Sequence, residues 1–165
     1  MKNRIIIFLI YIFFFVPVLA ENLNIESSII TVDKKTRITI FKDQVSVKDE
    51  KNNQLLTESA EYNKDLQILK TFGKTTVMTS GGFTIEGQDI FFDNNENYIK
   101  SDSPATVLDL EKNKIYLDNF KYSTSDGFFK SAGKIEVIDS KNNSSKYWFS
   151  DLSIIPRSFL QVHFH

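Results

Sequence analysis

Apolar residues recur at intervals of 30 along this chain, and they do so in five separate columns. Val32, Tyr62, Phe92 and Tyr122 form one column, and Val47, Val77, Val107 and Val137 a second. Ile30, Ala60, Ile90 and Phe120 form a third, Ile38, Ile68, Tyr98 and Phe128 a fourth, and Ile25, Leu55, Ile85 and Ile115 a fifth. With 41% of residues apolar, chance supplies about one fully apolar column among thirty offsets. The polar columns agree: Asp33, Asn63, Asp93 and Ser123 follow the first column, with Lys34, Lys64, Asn94 and Thr124 next. Those are turn formers. A unit of this length cannot bury its apolar face alone, so about four units must stack over residues 25 to 140.

Inside each unit the apolar spacing is two, as in Ile30 and Val32, Val45 and Val47, Ile90 and Phe92, or Ile135 and Val137. Period two places successive side chains on opposite faces of a strand. The intervening Thr31, Ser46, Glu61 and Lys121 are polar, which gives each strand one dry and one wet face, the pattern of antiparallel sheets. Each unit therefore reads as strand, polar turn, strand, a break near Asp43, Gly73, Ser103 and Gly133, and a third strand. Apolar parity also changes between Ile25 and Ile30, Ile85 and Ile90, and Ile115 and Phe120. A bulge or corner there returns both halves to one face. The expected fold is all-β: a twisted antiparallel sandwich or jelly roll with no helix after residue 20.

The chain opens with Lys2 and Arg4, an apolar run from Ile5 to Ala20, and Val18-Leu19-Ala20 before Glu21. A charged start, a short apolar stretch and a small-x-small end describe a secretory leader. The run is shorter than the roughly 20 residues that a spanning helix needs. There are no cysteines, so an exported domain of this kind holds together by core burial and strand pairing. The net charge of -1 provides no field for nucleic acid.

Ala60-Glu61-Tyr62-Asn63 with Gly73-Lys74-Thr75-Thr76-Val77, Gln88-Asp89-Ile90-Phe91-Phe92-Asp93 with Pro104-Ala105-Thr106-Val107, and Lys121-Tyr122 with Ala132-Gly133-Lys134-Ile135-Glu136-Val137 resemble the OstA-like family of lipopolysaccharide-transport proteins. Gly82-Phe83-Thr84-Ile85-Glu86-Gly87 looks like the second unit of the LptD amino-terminal domain, with LptA- and LptC-type periplasmic proteins as close relatives. The resemblance implies an OstA-like β-jelly roll, slightly open, made of two sheets meeting in a V. It also implies acyl chains of lipopolysaccharide in the apolar groove, strand-edge pairing with other jelly-roll domains, a place in outer-membrane assembly, and a periplasmic location, with attachment to the outer membrane in the LptD case. The chain divides accordingly into a leader over residues 1–20, an OstA-like domain over 21–143, and an unmatched tail over 144–165. A fifth unit requires apolar residues at 145, 150, 152, 158 and 165, and only Leu152 fits. The tail reads as a cap or a truncated end.

The bulky columns are the expected groove lining: Ile38, Tyr62, Ile68, Phe92, Tyr98, Tyr122 and Phe128. Lipid chains ask only for continuous apolar surface. The competing reading is a structural repeat, a scaffold or adhesin module whose core is filled and binds nothing. Lys70, Lys100 and Lys130 add a basic column, read either as head-group contacts or as a wet or edge-blunting face. No enzyme, cofactor or metal site is expected. The only histidines, His163 and His165, lie in the tail; Gly81-Gly82 reads as a turn; and the carboxylates are scattered over turns and wet faces.

Overall fold

A computed structural model describes residues 23–154, with side chains from 23 to 147. The expected leader and residues 155–165 lie outside the described residues. The described chain contains thirteen strands and no helix: β1 (Asn24–Glu26), β2 (Ile29–Asp33), β3 (Ile38–Lys48), β4 (Gln54–Asn63), β5 (Ile68–Met78), β6 (Thr84–Gln88), β7 (Phe91–Asp93), β8 (Tyr98–Ser101), β9 (Ala105–Leu108), β10 (Lys114–Leu117), β11 (Phe120–Ser123), β12 (Phe129–Ile138) and β13 (Ser144–Ile154).

All pairs are antiparallel, and hydrogen bonds connect the strands into one sheet folded over on itself. One layer follows the order β1, β3, β4, β5, β6, β9, β10, β12, β13, and the other β2, β3, β4, β5, β7, β8, β11, β12, β13. The long strands β3, β4, β5, β12 and β13 run through both layers. The result is the all-β jelly roll, two sheets joined along a corner.

The corner lies where the sequence changes parity. Register shifts separate Lys42 from Val45, Thr57 from Ser59, and Ser131 from Gly133. Asp43, Gln44, Gly73, Asp89 and Gly133 have positive φ along this line, the conformation of bulged residues. Side chains replace the interrupted ladder. Asp89 Oδ1 accepts from the Gly73 N–H at 2.9 Å, and Asp118 Oδ2 from the Lys134 N–H at 2.9 Å. Asn119 donates to the Ala132 carbonyl at 2.9 Å and accepts from the Ala132 N–H at 3.1 Å. In three units the expected second and third strands are one continuous strand. They separate only between β8 and β9, where Pro104 has no N–H to donate to a ladder.

The turns carry the period into the backbone. Arg37, Gln67, Asn97 and Gly127 are all left-handed, and so are Asn52, Gly82, Lys112 and Asn142. In the second set the residue three earlier closes the loop: the Asp49, Asp109 and Asp139 carboxylates each accept from the N–H four residues on at 2.8 Å, and the Thr79 hydroxyl does so at 3.0 Å. These turns stack. Asn53 Oδ1 accepts from the Ser80 N–H at 2.9 Å, and Asn113 Oδ1 from the Ser140 N–H at 3.1 Å.

Beyond residue 143, β13 pairs with β12 along its length, from Ser144 opposite Ile138 to Ile154 opposite Phe129. It extends both layers by one strand.

Candidate functional site: the apolar trough

Between the layers, one inner face carries Val45, Val47, Leu55, Val77, Ile85, Val107, Ile115 and Ile135, and the other Phe41, Ala60, Leu69, Phe92, Ile99, Phe120, Tyr122 and Phe129, all buried. Pairing fixes these faces, because Tyr62 lies opposite Leu69, Phe92 opposite Leu69 and Ile99, and Tyr122 opposite Ile99 and Phe129. Residues directly opposite share a face.

That register separates the seven groove positions expected from the repeat. Tyr62, Phe92 and Tyr122 face inward. Ile38, Ile68 and Tyr98 do not: Ile38 and Ile68 lie opposite Asn63, and Tyr98 opposite Asp93 and Ser123. Phe128 precedes the inward Phe129, and its carbonyl accepts from the Ser123 N–H at 2.8 Å. The expectation that this column points inward is corrected. A recurring apolar residue fixes the period but not the parity, and the inward residue is the next one along, Leu69, Ile99 or Phe129.

The trough is sealed along most of its length. Phe129 packs edge-on to Phe83 at 5.3 Å, and against Tyr122 at 4.8 Å and Phe120 at 6.3 Å between ring centroids. At the β2 end it is open. Ile30 and Val32 have inward parity, opposite Phe41 and Thr39, yet are 56% and 60% exposed. Tyr62, next along the Val32 column, is half-buried; its hydroxyl donates to Gln67 Oε1 at 2.9 Å, and burial pushes its phenol above the usual range. The mouth is thus lined by Ile30, Val32, Thr39 and Tyr62.

The corner end of the interior is polar, which the apolar columns did not show. Thr71, Ser101 and Ser131 are buried and spaced 30 apart. Their hydroxyls donate to the Ile90, Gln88 and Asn119 carbonyls at 3.4, 2.7 and 2.7 Å. Each borders a break between two short strands and bonds the backbone there; at Thr71 the Ile90 carbonyl also accepts from the backbone N–H at 2.8 Å. Their regular spacing was a signal available in the sequence.

A second hollow, about 340 Å³, lies on the outer face of the other layer beside Glu86, Tyr116, Asp118 and Glu136. Its carboxylates are engaged: Glu86 with Lys74 at 3.7 Å, Glu136 with Lys146 at 3.6 Å, and Asp118 with the Lys134 N–H. Among the described residues no cluster of three His, Cys, Asp or Glu could hold a metal.

A folded antiparallel sheet around an apolar interior, open at one end, defines a β-jelly roll. A family model described as OstA-like protein matches residues 19–150, and the chain belongs to that family. Its fold is also that of LptH from Pseudomonas aeruginosa, described as the LptA homologous periplasmic component of the conserved lipopolysaccharide transport device. The two match with a TM-score of 0.59 at 11% identity, over 77% of this chain and 94% of that one. No curated protein sequence matches.

Proposed function

We propose that this protein is a periplasmic, non-enzymatic carrier of lipopolysaccharide that holds acyl chains in the trough. The carrying observation is the open mouth: Ile30 and Val32 are inward-facing apolar residues left more than half exposed. Family membership and the fold shared with a protein described as part of a lipopolysaccharide transport device support the choice of cargo. Tyr62 borders the mouth, while Phe92 and Tyr122 lie deeper and meet lipid as the trough opens.

Passage from one domain to the next uses the sheet edges. β1 and β2 pair only with β3, and β13 only with β12, among the described strands. Each leaves backbone groups that a further jelly-roll domain can pair. The fold match is to an LptA-type protein, which supports a bridging role. The Gly82–Gly87 segment supports the LptD-like variant, attached to the outer membrane with its assembly complex. The scaffold reading retains one observation, the sealed interior from Leu55 to Ile135.

Photo-crosslinkers placed at Val32, Tyr62, Phe92 and Leu56 test this. Adducts with lipopolysaccharide from Val32 and Tyr62, weaker ones from the deeper Phe92, and none from Leu56, exposed on the outer face of the other layer, are expected. Absence of adducts from every inward position would overturn the transport reading in favour of the scaffold.

A further inference from the structure

Lys70, Lys100, Lys121 and Lys130 lie in one row on the outer face of the β2 layer. Cross-strand register runs Lys70 to Phe91, Phe91 to Lys100, Lys100 to Lys121, and Lys121 to Lys130. The row crosses five successive strands, β5, β7, β8, β11 and β12, each paired on both sides. Blunting an exposed edge therefore does not account for it. Three lysines stand directly opposite one another in sequence, an arrangement that destabilises a sheet. In a chain of net charge -1 it is not the by-product of a basic composition.

Aromatic rings hold the row in place. Phe91 stacks on Tyr98 at 6.0 Å, Lys100 Nζ lies 5.5 Å from the Phe91 centroid, and Lys121 Nζ lies 3.8 Å from that of Tyr98. Such contacts hold an ammonium without neutralising it. Carboxylates, Glu96 included, lie at the end and margins of the row, and none stands between its lysines. Glu61 lies opposite Lys70, Asp102 lies 4.0 Å from Lys100, Asp126 interacts with Lys130, and Asp93 Oδ1 accepts from the Glu96 N–H. On the same face Ile29 and Phe72, aligned through Lys42 and Ser59, are 48% and 46% exposed.

We infer that this outer face docks on an anionic bilayer surface, with the lysine row among the head groups and the exposed Ile29 and Phe72 at its margin. Ammonium groups are point charges without the guanidinium fork that fixes one phosphate. A row of them on a flat sheet face is complementary to a plane of charge, and mixed basic and apolar surface is the composition of interfacial binders. The inference is independent of what the trough carries.

Sedimentation of the full chain with vesicles of pure phosphatidylglycerol tests it, with pure phosphatidylcholine vesicles as the baseline. The Lys100→Gln/Lys121→Gln/Lys130→Gln variant is expected to lose affinity for the anionic vesicles on the order of a hundredfold, about fivefold per lysine. The charge-matched Lys74→Gln/Lys114→Gln/Lys134→Gln variant, altered on the outer face of the other layer, retains most of it. Circular dichroism reports whether each variant folds; if the first triple variant does not, Lys121→Gln alone carries the test with a loss of about fivefold. Equal losses in both triple variants, or no preference of the unaltered protein for anionic vesicles, overturn the inference. So does displacement by inorganic phosphate at matched ionic strength, which marks a single-phosphate site.

Discussion

Val32 and Phe92 hold the same position in two repeats, on the same inward face, yet Val32 is 60% exposed and Phe92 is fully buried. The contrast separates a residue already free to meet a ligand from one that stabilises the closed fold until the trough opens. Replacing Phe92 with Ala removes a buried ring from a sealed interior and is expected to cost about 3–5 kcal/mol. Val32→Ala is expected to cost less than about 0.5 kcal/mol. Equilibrium denaturation with urea measures both, and similar losses would contradict the open mouth.

Gly133 and Gly73 share the corner column but not its crowding. A Cβ on Gly133, at φ +98°, would sit 2.7 Å from Asp118 Oδ2, whereas Gly73, at φ +78°, has nothing within 4 Å. Gly73→Ala is expected to show backbone strain alone, roughly 1 kcal/mol. Gly133→Ala also displaces the carboxylate that receives the Lys134 N–H and is expected to cost roughly 2–3 kcal/mol. Thermal unfolding of the two variants ranks them.

Asn113 joins two turns: it donates to Asp109 Oδ2 at 2.8 Å and accepts from the Ser140 N–H at 3.1 Å. It is buried, so Asn113→Ala leaves dry polar groups without partners and is expected to cost about 1–3 kcal/mol. The equivalent Asn143 is exposed, and Asn143→Ala is expected to have a smaller effect in the same unfolding assay.

Burial pushes the Tyr122 phenol above its usual value, an effect that hydrogen bonds with Thr79 and Ser80 offset only in part. A group whose folded pKa is raised stabilises the fold fully below the unfolded value, about 10 for a phenol. That contribution is lost as pH rises through the folded pKa. Stability is expected to fall above about pH 10, and to fall less in Tyr122→Phe, as followed by denaturation midpoints across alkaline pH.

Asp139 responds in the opposite direction. Its carboxyl is held below the usual range first by the Asn143 side chain, then by backbone N–H groups of Asn143 and Lys141. Its contribution is present above the unfolded value of about 3.9 and is lost as pH falls through the depressed folded value. The β12–β13 turn is expected to open in acid, seen as lost protection of the Asn143 amide relative to its intrinsic hydrogen-exchange rate at each pH. Asp139→Asn should flatten that pH dependence.

The repeat, the β class and the corner were legible because each leaves a local mark. Val47, Val77 and Val107 are equivalent and equally buried, and the parity change before Ile90 or Phe120 has a physical counterpart in the corner. Two things were not legible. Parity across the turn after Tyr62 depends on which residue pairs with it; Leu69 does, so Ile68 faces out. Depth along the trough depends on how many strands lie to either side. Equivalent residues at the end and the middle of a stack look alike in sequence, although only Phe92 and Tyr122 are covered by neighbours on both sides.

Five strands belong to both layers, so neither layer can slide past the other without breaking ladders. Any widening of the interior to admit a larger guest has to be shared among the bulges at Asp43, Glu58, Gly73 and Gly133, bending together like the spine of a book. Capacity in this architecture is consequently a collective property of the corner, set far from the side chains that a guest would touch.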